Sequence, residues 1–344
     1  MDYEQLIADV DIQNLKLIIG LSMGLIFGVG AAMSHFCLRK LVLDLVVLKF
    51  SRGSYTWLLG LSTALLFTQL LLQGETSDIT EAQVIMGEVS LSGPIIGGLM
   101  FGFGMMRSRG CASRQMILLA SGNLRPLLTL FAFALSAQLT YGGQLVPFRE
   151  AVQDLWRLDQ TSSQLSGWLP LSQSHYVLIA LTVAVASGVV LIKGRAWPQL
   201  LGATIVGLGV ALGWFATSFV AYHSFNSILP QSINFSAPAA QNVISVMSLN
   251  APFMILGAGI LIGCLVGSLL VTFLRRDFHL QGFTSQSHMG HYILAGMLMG
   301  VGSVLANGCS VGAGLSGTAI MATSSTVTLI CIIVGGLVSA RYSS

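Results

Sequence analysis

Apolar runs of about 20 residues, enough to cross a hydrocarbon core ~30 Å thick, recur along the chain from residue 15 to residue 340. They predict nine spanning elements, at 15–50, 54–73, 92–122, 126–146, 174–192, 197–222, 252–274, 288–323 and 325–340. The first, third and eighth are longer than one span or interrupted, and each carries the same internal pattern. Gly24-x-x-x-Gly28-x-Gly30 leads to Cys37, Gly98-x-x-x-Gly102-x-Gly104 to Cys111, and Gly296-x-x-x-Gly300-x-Gly302 to Cys309. The cysteine always falls seven residues after the last glycine, and the copies are offset by 74 (24 to 98) and 198 (98 to 296) residues. Such spacing in three places reads as one duplicated unit, a close-packed helix that breaks at a thiol. Broken helices at membrane depth are tolerated where the irregular backbone is buried or lines a cavity, and in transporters that is where substrate binds.

Composition sharpens the class. The 344 residues are 54% hydrophobic and only 8% charged, with a mean hydropathy of +0.80, against roughly 25% charged in a soluble domain. The chain therefore reads as an all-α polytopic membrane protein, a single transmembrane domain over 1–344 with no nucleic-acid partner. No cleavable signal is evident, because the N-terminus (Met1, Asp2, Glu4, Asp9, Asp11) is acidic and the first apolar run starts late. Five cysteines without CxxC or Cys/His metal spacing argue against a disulfide framework or a zinc site, and no cofactor is expected. Cys264 and Cys331 lie in plain apolar runs and read as small buried hydrophobes.

Orientation follows from the basic residues. With the N-terminus outside, the inner loops hold Lys49, Arg52, Arg125, Lys193, Arg195, Arg275, Arg276 and Arg341, and the outer loops only Arg149 and Arg157. The acidic residues Glu75, Asp78, Glu81, Glu88, Glu150, Asp154 and Asp159 all fall outside. This predicts an N-out, C-in protein. Elements one to four then begin outside and six to nine inside, so residues 1–146 and 197–340 form inverted repeats joined by the helix at 174–192. The sixth element should match the first, and Gly202, Gly207, Gly209 and Gly213 before Trp214, Ala216, Thr217 and Ser218 do so loosely, without a cysteine. Residues 147–172, with Trp156 and Trp168, suit an interfacial amphipathic segment. Residues 221–250 hold no Lys, Arg, Asp or Glu but do hold His223, Asn226, Gln231, Asn234, Gln241 and Asn242, which suits either a vestibule lining or an ordinary lid.

Small-xxx-small spacing lets helix backbones approach closely, and tight packing is the plain reading of the ladders. It leaves unexplained why each ends in cysteine, where alanine or serine would pack as well. Each cysteine precedes a short apolar stretch (38–49, 112–121, 310–322) able to form a half-helix, so the thiol sits near a helix N-terminus, a place that favours anions. The same field strengthens a thiol as a hydrogen-bond donor. Gly110 and Gly308, directly before the thiols, admit unusual backbone conformations, and Ser113 and Ser310 are placed to cap the half-helices. Arg39, Lys40, Arg107, Arg109 and Arg114 gather beside the first two thiols. Lys40 and Arg107 suit a topology anchor, whereas Arg114, one turn past Cys111, suits a site-facing role. Asn307 is the polar candidate beside Cys309. Positive field, backbone N–H groups and thiols together fit a small anion with a soft atom, a sulfur or selenium oxyanion.

At SHFCLRKLVLDL around Cys37, RGCASRQMILLASGNL around Cys111 and NGCSVGAGLSGTA around Cys309, the chain resembles the YeeE/YedE family of sulfur-transport membrane proteins. The resemblance implies an hourglass-shaped protein whose inward-dipping half-helices meet near the midplane. It also implies uptake of thiosulfate, passed along cysteines by transient thiol–sulfur hydrogen bonds. By motif, Cys37, Cys111 and Cys309 are the relay residues, with Cys111 the indispensable one. The chain runs only to Ser344, straight after its last span, so a separate cytoplasmic sulfur-carrier or sulfurtransferase is expected to receive the cargo. The RGCASR…SGNL segment looks closer to the YedE side, linked to selenium metabolism. Two other readings stay open. One is a membrane sulfurtransferase using a cysteine persulfide, for which His35 is the only local base; the other is a structural role for the cysteines. Asp44, the only clear membrane-embedded acid, has no carboxylate partner in the spans, which favours a channel-like route over proton coupling.

Overall fold

The glycine ladders decide which helices touch. A computed structural model describes residues 12–71, 89–158, 173–223, 229–247, 254–282 and 287–342. The expectations resting on the acidic N-terminus, on Glu75, Asp78, Glu81, Glu88 and Asp159, and on Trp168 and Asn226 lie outside these residues. Apart from a two-residue ribbon, β1 (Val89–Ser90) antiparallel to β2 (Arg157–Leu158), the described residues are all-α. One plan recurs four times: a long helix, a break, a short half-helix, a long helix. The first unit is α1 (Ile12–Ser34), α2 (Leu38–Val47) and α3 (Arg52–Leu71), and the second is α4 (Ser92–Arg107), α5 (Ala112–Ala120) and α6 (Arg125–Gly142). After the connecting α7 (Val146–Asp154) and α8 (Gln173–Lys193), the third unit is α9 (Trp197–His223), α10 (Ser236–Met247) and α11 (Ile255–Leu274). The fourth is α12 (Ser287–Leu305), a π-helical turn (Gly312–Gly317) and α13 (Thr323–Arg341).

The first unit packs on the third and the second on the fourth, by one scheme. Gly24 and Gly28 of α1 lie on the backbone of Ile260 and Cys264 in α11, running parallel to it; Gly98 and Gly102 of α4 lie likewise on Thr328 and Ile332 in α13. The opening helices of each pair are antiparallel: Gly30 meets Gly202 while Met23 meets Gly213, and Gly97 meets Gly302 while Gly104 meets Ala295. At Gly24, Gly28, Gly30, Gly97, Gly102, Gly202 and Gly302 an added Cβ would fall on partner backbone. The residue before the middle glycine of each ladder is fully enclosed: Phe27, Phe101, Val206 and Met299. Half-helices then stitch the two bundles crosswise. α2 packs on α13 and the π-helical turn on α3, whereas α5 packs on α11 and α10 on α6. The four breaks are thereby drawn between the bundles.

Five helices among the described residues are long and apolar enough to cross a membrane: Gln13–Val47 (interrupted at Cys37), His175–Lys193, Trp197–His223, Ile255–Leu274 and Thr323–Arg341; Met289–Leu305 is a shorter apolar helix. This is a multi-pass membrane protein. One expectation is corrected. The ladder of α9 reads Ala203-x-x-x-Gly207-x-Gly209, with Gly207 on Thr63 and Ala64 as Gly300 is on Ser136 and Ala137, and nothing interrupts it at Trp214–Ser218. The helix runs on to His223, with the Thr217 and Ser218 hydroxyls donating to carbonyls of their own helix, at 2.8 Å (Gly213) and 2.6 Å (Trp214). Asp44, the embedded acid, is also explained: its carboxylate accepts hydrogen bonds from Ser51 N (2.7 Å) and Ser54 Oγ (2.5 Å), a cap on the start of α3.

Candidate functional site

All three repeated helices stop in the same way. Two residues before each cysteine the backbone turns left-handed, at His35 (φ 53°), Arg109 (φ 64°) and Asn307 (φ 54°). The next N–H then reaches back five residues, Phe36 to Ala31 (3.1 Å), Gly110 to Met105 (3.1 Å) and Gly308 to Ser303 (2.9 Å). This is the closing bond of a Schellman motif. The left-handed residue is therefore not Gly110 or Gly308, as the sequence implied, but the residue before them. The two glycines answer to space instead: a Cβ on Gly308 would sit 2.6 Å from Ala313 N, and one on Gly110 would meet Arg114 Cγ at 3.0 Å. A left-handed conformation costs an ordinary residue ~1–2 kcal/mol. Arg109→Gly is accordingly expected to raise the thermal midpoint of the detergent-solubilised protein and Arg109→Val to lower it; equal midpoints would contradict the strain.

Each thiol then opens a half-helix. Cys37 and Cys111 hold the N-cap positions of α2 and α5. The Cys309 carbonyl accepts from Ala313 N (2.9 Å) and Gly314 N (3.3 Å), starting the π-helical turn. Such turns are rare and gather at functional sites. The Gly312 N–H donates to Cys309 Sγ at 3.4 Å, and the opening N–H groups of α2 lie beside Cys37, that of Lys40 donating to its carbonyl at 3.2 Å. Convergent N–H groups at a helix start attract negative charge. The expected serine caps do not form. Ser113 Oγ instead meets Cys111 Sγ at 3.2 Å, and Ser310 Oγ is buried without a partner.

All three thiols are free and buried. Cys111 lies close enough to Cys37, Cys309 and Cys264 on α11 to interact with each electrostatically. Arg114, half-buried with its stem over Gly110, reaches Cys37 and His35, and Lys40, Arg275 and Asp277 also face His35. Basic side chains thus gather beside His35 and Cys37. Beside Cys309 lies a vestibule of about 540 Å³ whose lining includes Arg149, Gln153, Asn234, Ser303, Asn307 and Gly312. A second groove of about 620 Å³, bounded by Met116, Phe131, Phe133 and Phe235, is almost wholly apolar and offers an anion nothing.

Sequence reasoning gave no site role to Gln115 or Arg149, and named Asn234 only as one of several polar residues of a possible vestibule or lid. Asn234 stands where the third unit breaks, its Oδ1 accepting from Ser236 N (3.0 Å) and Ser236 Oγ (2.8 Å) and lying 3.9 Å from Cys309 Sγ. The signal was present, since Asn-x-Ser-x-Pro at 234–238 reads as a helix start. Buried Gln115 braces the second break through Ser108 O (2.6 Å). Arg149 was counted only as an outer-loop charge. The segment 229–235, expected as vestibule or lid, is pinned by Ser232 Oγ on Val210 O (2.7 Å) and Ser316 Oγ on Ile233 O (2.8 Å), and it lines the vestibule.

The chain is similar in sequence to known proteins along most of its length. The thiosulfate transporter TsuA of Escherichia coli K12 is 22% identical over 334 residues, covering 92% of this chain and 91% of that protein. The TsuA of Spirochaeta thermophila is 24% identical over 335 residues, covering 92% and 96%. A family model described as sulphur transport matches residues 33–338, a stretch that takes in all three thiol breaks. The chain belongs to the sulphur-transport family.

Proposed function

We propose that this transport protein carries thiosulfate, the substrate named for both relatives, from the vestibule past Cys309, Cys111 and Cys37 to the basic side chains beside Cys37. The observation that carries the reading is that the three repeat thiols are free and buried at helix breaks, with the Gly312 N–H donating to Cys309 Sγ at 3.4 Å. Gly110 and Gly308 let the half-helices close up, Arg114 balances charge below, and Asn307, Ser113 and Ser310 supply polar contacts along the way. Thiol donors favour the loosely hydrated terminal sulfur of thiosulfate; sulfate lacks that atom and holds its water more strongly. The two halves, 1–146 and 197–340, act as inverted repeats joined by α8, with the N-terminus outside and the C-terminus in the cytoplasm. The antiparallel opening helices of the paired units support this. All nine expected elements serve as spans in an hourglass whose breaks meet near the midplane. A cytoplasmic sulfur-accepting protein takes the cargo, and membrane lipid surrounds the apolar faces.

The test is uptake of ³⁵S-thiosulfate by cells lacking their own sulfur-anion transporters. Expression of this chain should confer saturable uptake that excess unlabelled sulfate leaves untouched. Absent uptake from a normally inserted protein, or competition by sulfate equal to that by thiosulfate, would overturn the reading.

A further inference from the structure

We infer that Arg149 is an anion-capture residue in the vestibule, binding the doubly charged substrate before it reaches Cys309; this rests on the function proposed above. Among the described residues, Arg149 is the only charged side chain lining the cavity, and no carboxylate lines it. The guanidinium is held in place but not used up. Its Nη1 donates to Tyr141 O (2.9 Å), its Nη2 lies 3.6 Å from Glu150 Oε1, and its Nε is buried with no hydrogen-bond partner.

The surroundings fix that orientation. Tyr141 is tied to Gln241, whose Nε2 donates to its hydroxyl at 2.7 Å. α7 is seated by buried Val152 and by Ser92 Oγ, which donates to Val152 O at 2.6 Å, and the β1–β2 ribbon closes its far end. Arg149 is partly exposed and its guanidinium keeps donors beyond the one bound to Tyr141 O, so an oxyanion in the cavity supplies an acceptor for a charge-assisted bond. The remaining walls include Gln153, Gln231, Ser232, Asn234 and Asn307, polar but neutral groups that accommodate a partly hydrated anion without competing for the arginine. Arg149 thus lines the cavity, and the Cys309 thiol lies behind its Asn234 and Gly312 walls. Oxyanion charge selects for entry, and the soft sulfur atom selects for passage.

The experiment is concentration-dependent ³⁵S-thiosulfate uptake for wild type, Arg149→Gln and Arg149→Lys, scaled to the amount of protein in the membrane. Arg149→Gln should raise the half-saturating concentration about tenfold, the scale of one charge-assisted hydrogen bond, with an unchanged maximal rate. Arg149→Lys should restore part of the difference, and the ionic-strength dependence of uptake should flatten in Arg149→Gln. Unchanged half-saturation in a normally inserted Arg149→Gln would overturn the assignment while leaving the thiol path standing. A fall in maximal rate alone, equal in Gln and Lys variants, would make Arg149 a structural residue and overturn it too. Absence of thiosulfate uptake by the wild type would overturn the transport reading and this inference with it.

Discussion

Replacing Cys111 with alanine is expected to reduce thiosulfate uptake at least 100-fold without loss of the folded protein. The fold tolerates the change because Cys111 caps α5 through its backbone alone, in an extended conformation (φ −75°, ψ 172°) that alanine adopts freely. Removing the sulfur gives up its 3.2 Å interaction with Ser113 Oγ, so stability should fall by only about 1 kcal/mol. Transport has no such margin. If the relay is right, Cys111 bridges the other two thiols, and its removal leaves an anion in a buried passage with no donor for its soft atom. Cys331→Ala, on the half-buried face of α13, is the matched control and should transport normally. Uptake by Cys111→Ala at the wild-type rate would end the relay idea. Covalent attachment of sulfur to Cys111 during turnover, seen by intact-protein mass spectrometry, would instead favour the sulfurtransferase reading.

The second large effect falls on the fold. Gly102→Ala should cost more than ~3 kcal/mol, at or beyond the usual range for overpacking, and should cut the yield of monodisperse protein sharply. A methyl there collides with the Ile332 carbonyl oxygen and comes within 2.8 Å of Gly336 N. Both obstacles are backbone, so no rotamer change relieves them and α4 and α13 must separate along their shared length. Gly188→Ala is the contrast. Its new Cβ meets only Leu200 Cδ1, at 3.8 Å, and alanine in a helix interior gains ~1 kcal/mol over glycine. Thermal unfolding in detergent should therefore move down strongly for the first variant and slightly up for the second. Equal shifts would mean that the ladder does not set the packing.

Much of this was legible in the chain because the ladder and the thiol are local facts. A glycine repeat seven residues ahead of a cysteine marks where the helix is thin and where it stops, and α1, α4 and α12 stop there. The third unit was hard to read for an equally physical reason. Alanine replaces its first glycine, which packs almost as well, and the break moves beyond His223 to Asn234, an amide in place of a thiol. The turn residues misled as well. Gly110 and Gly308 look made for a left-handed turn, but the Schellman bond needs that conformation one residue earlier, so Arg109 and Asn307 bear the strain.

The sequence by itself determined that the chain lies in a membrane, that a helix-breaking unit is repeated, and that three of its breaks carry thiols, since each is a property of spacing and hydropathy. Only the tertiary structure decided which helices the ladders meet, that Asn234 meets Cys309, and that Arg149 lines the same cavity as Asn234. Those facts depend on contacts across many tens of residues, such as Asn234 with Cys309 and Gly102 with Ile332. Glycine spacing shows that a backbone will come close. It does not show which one.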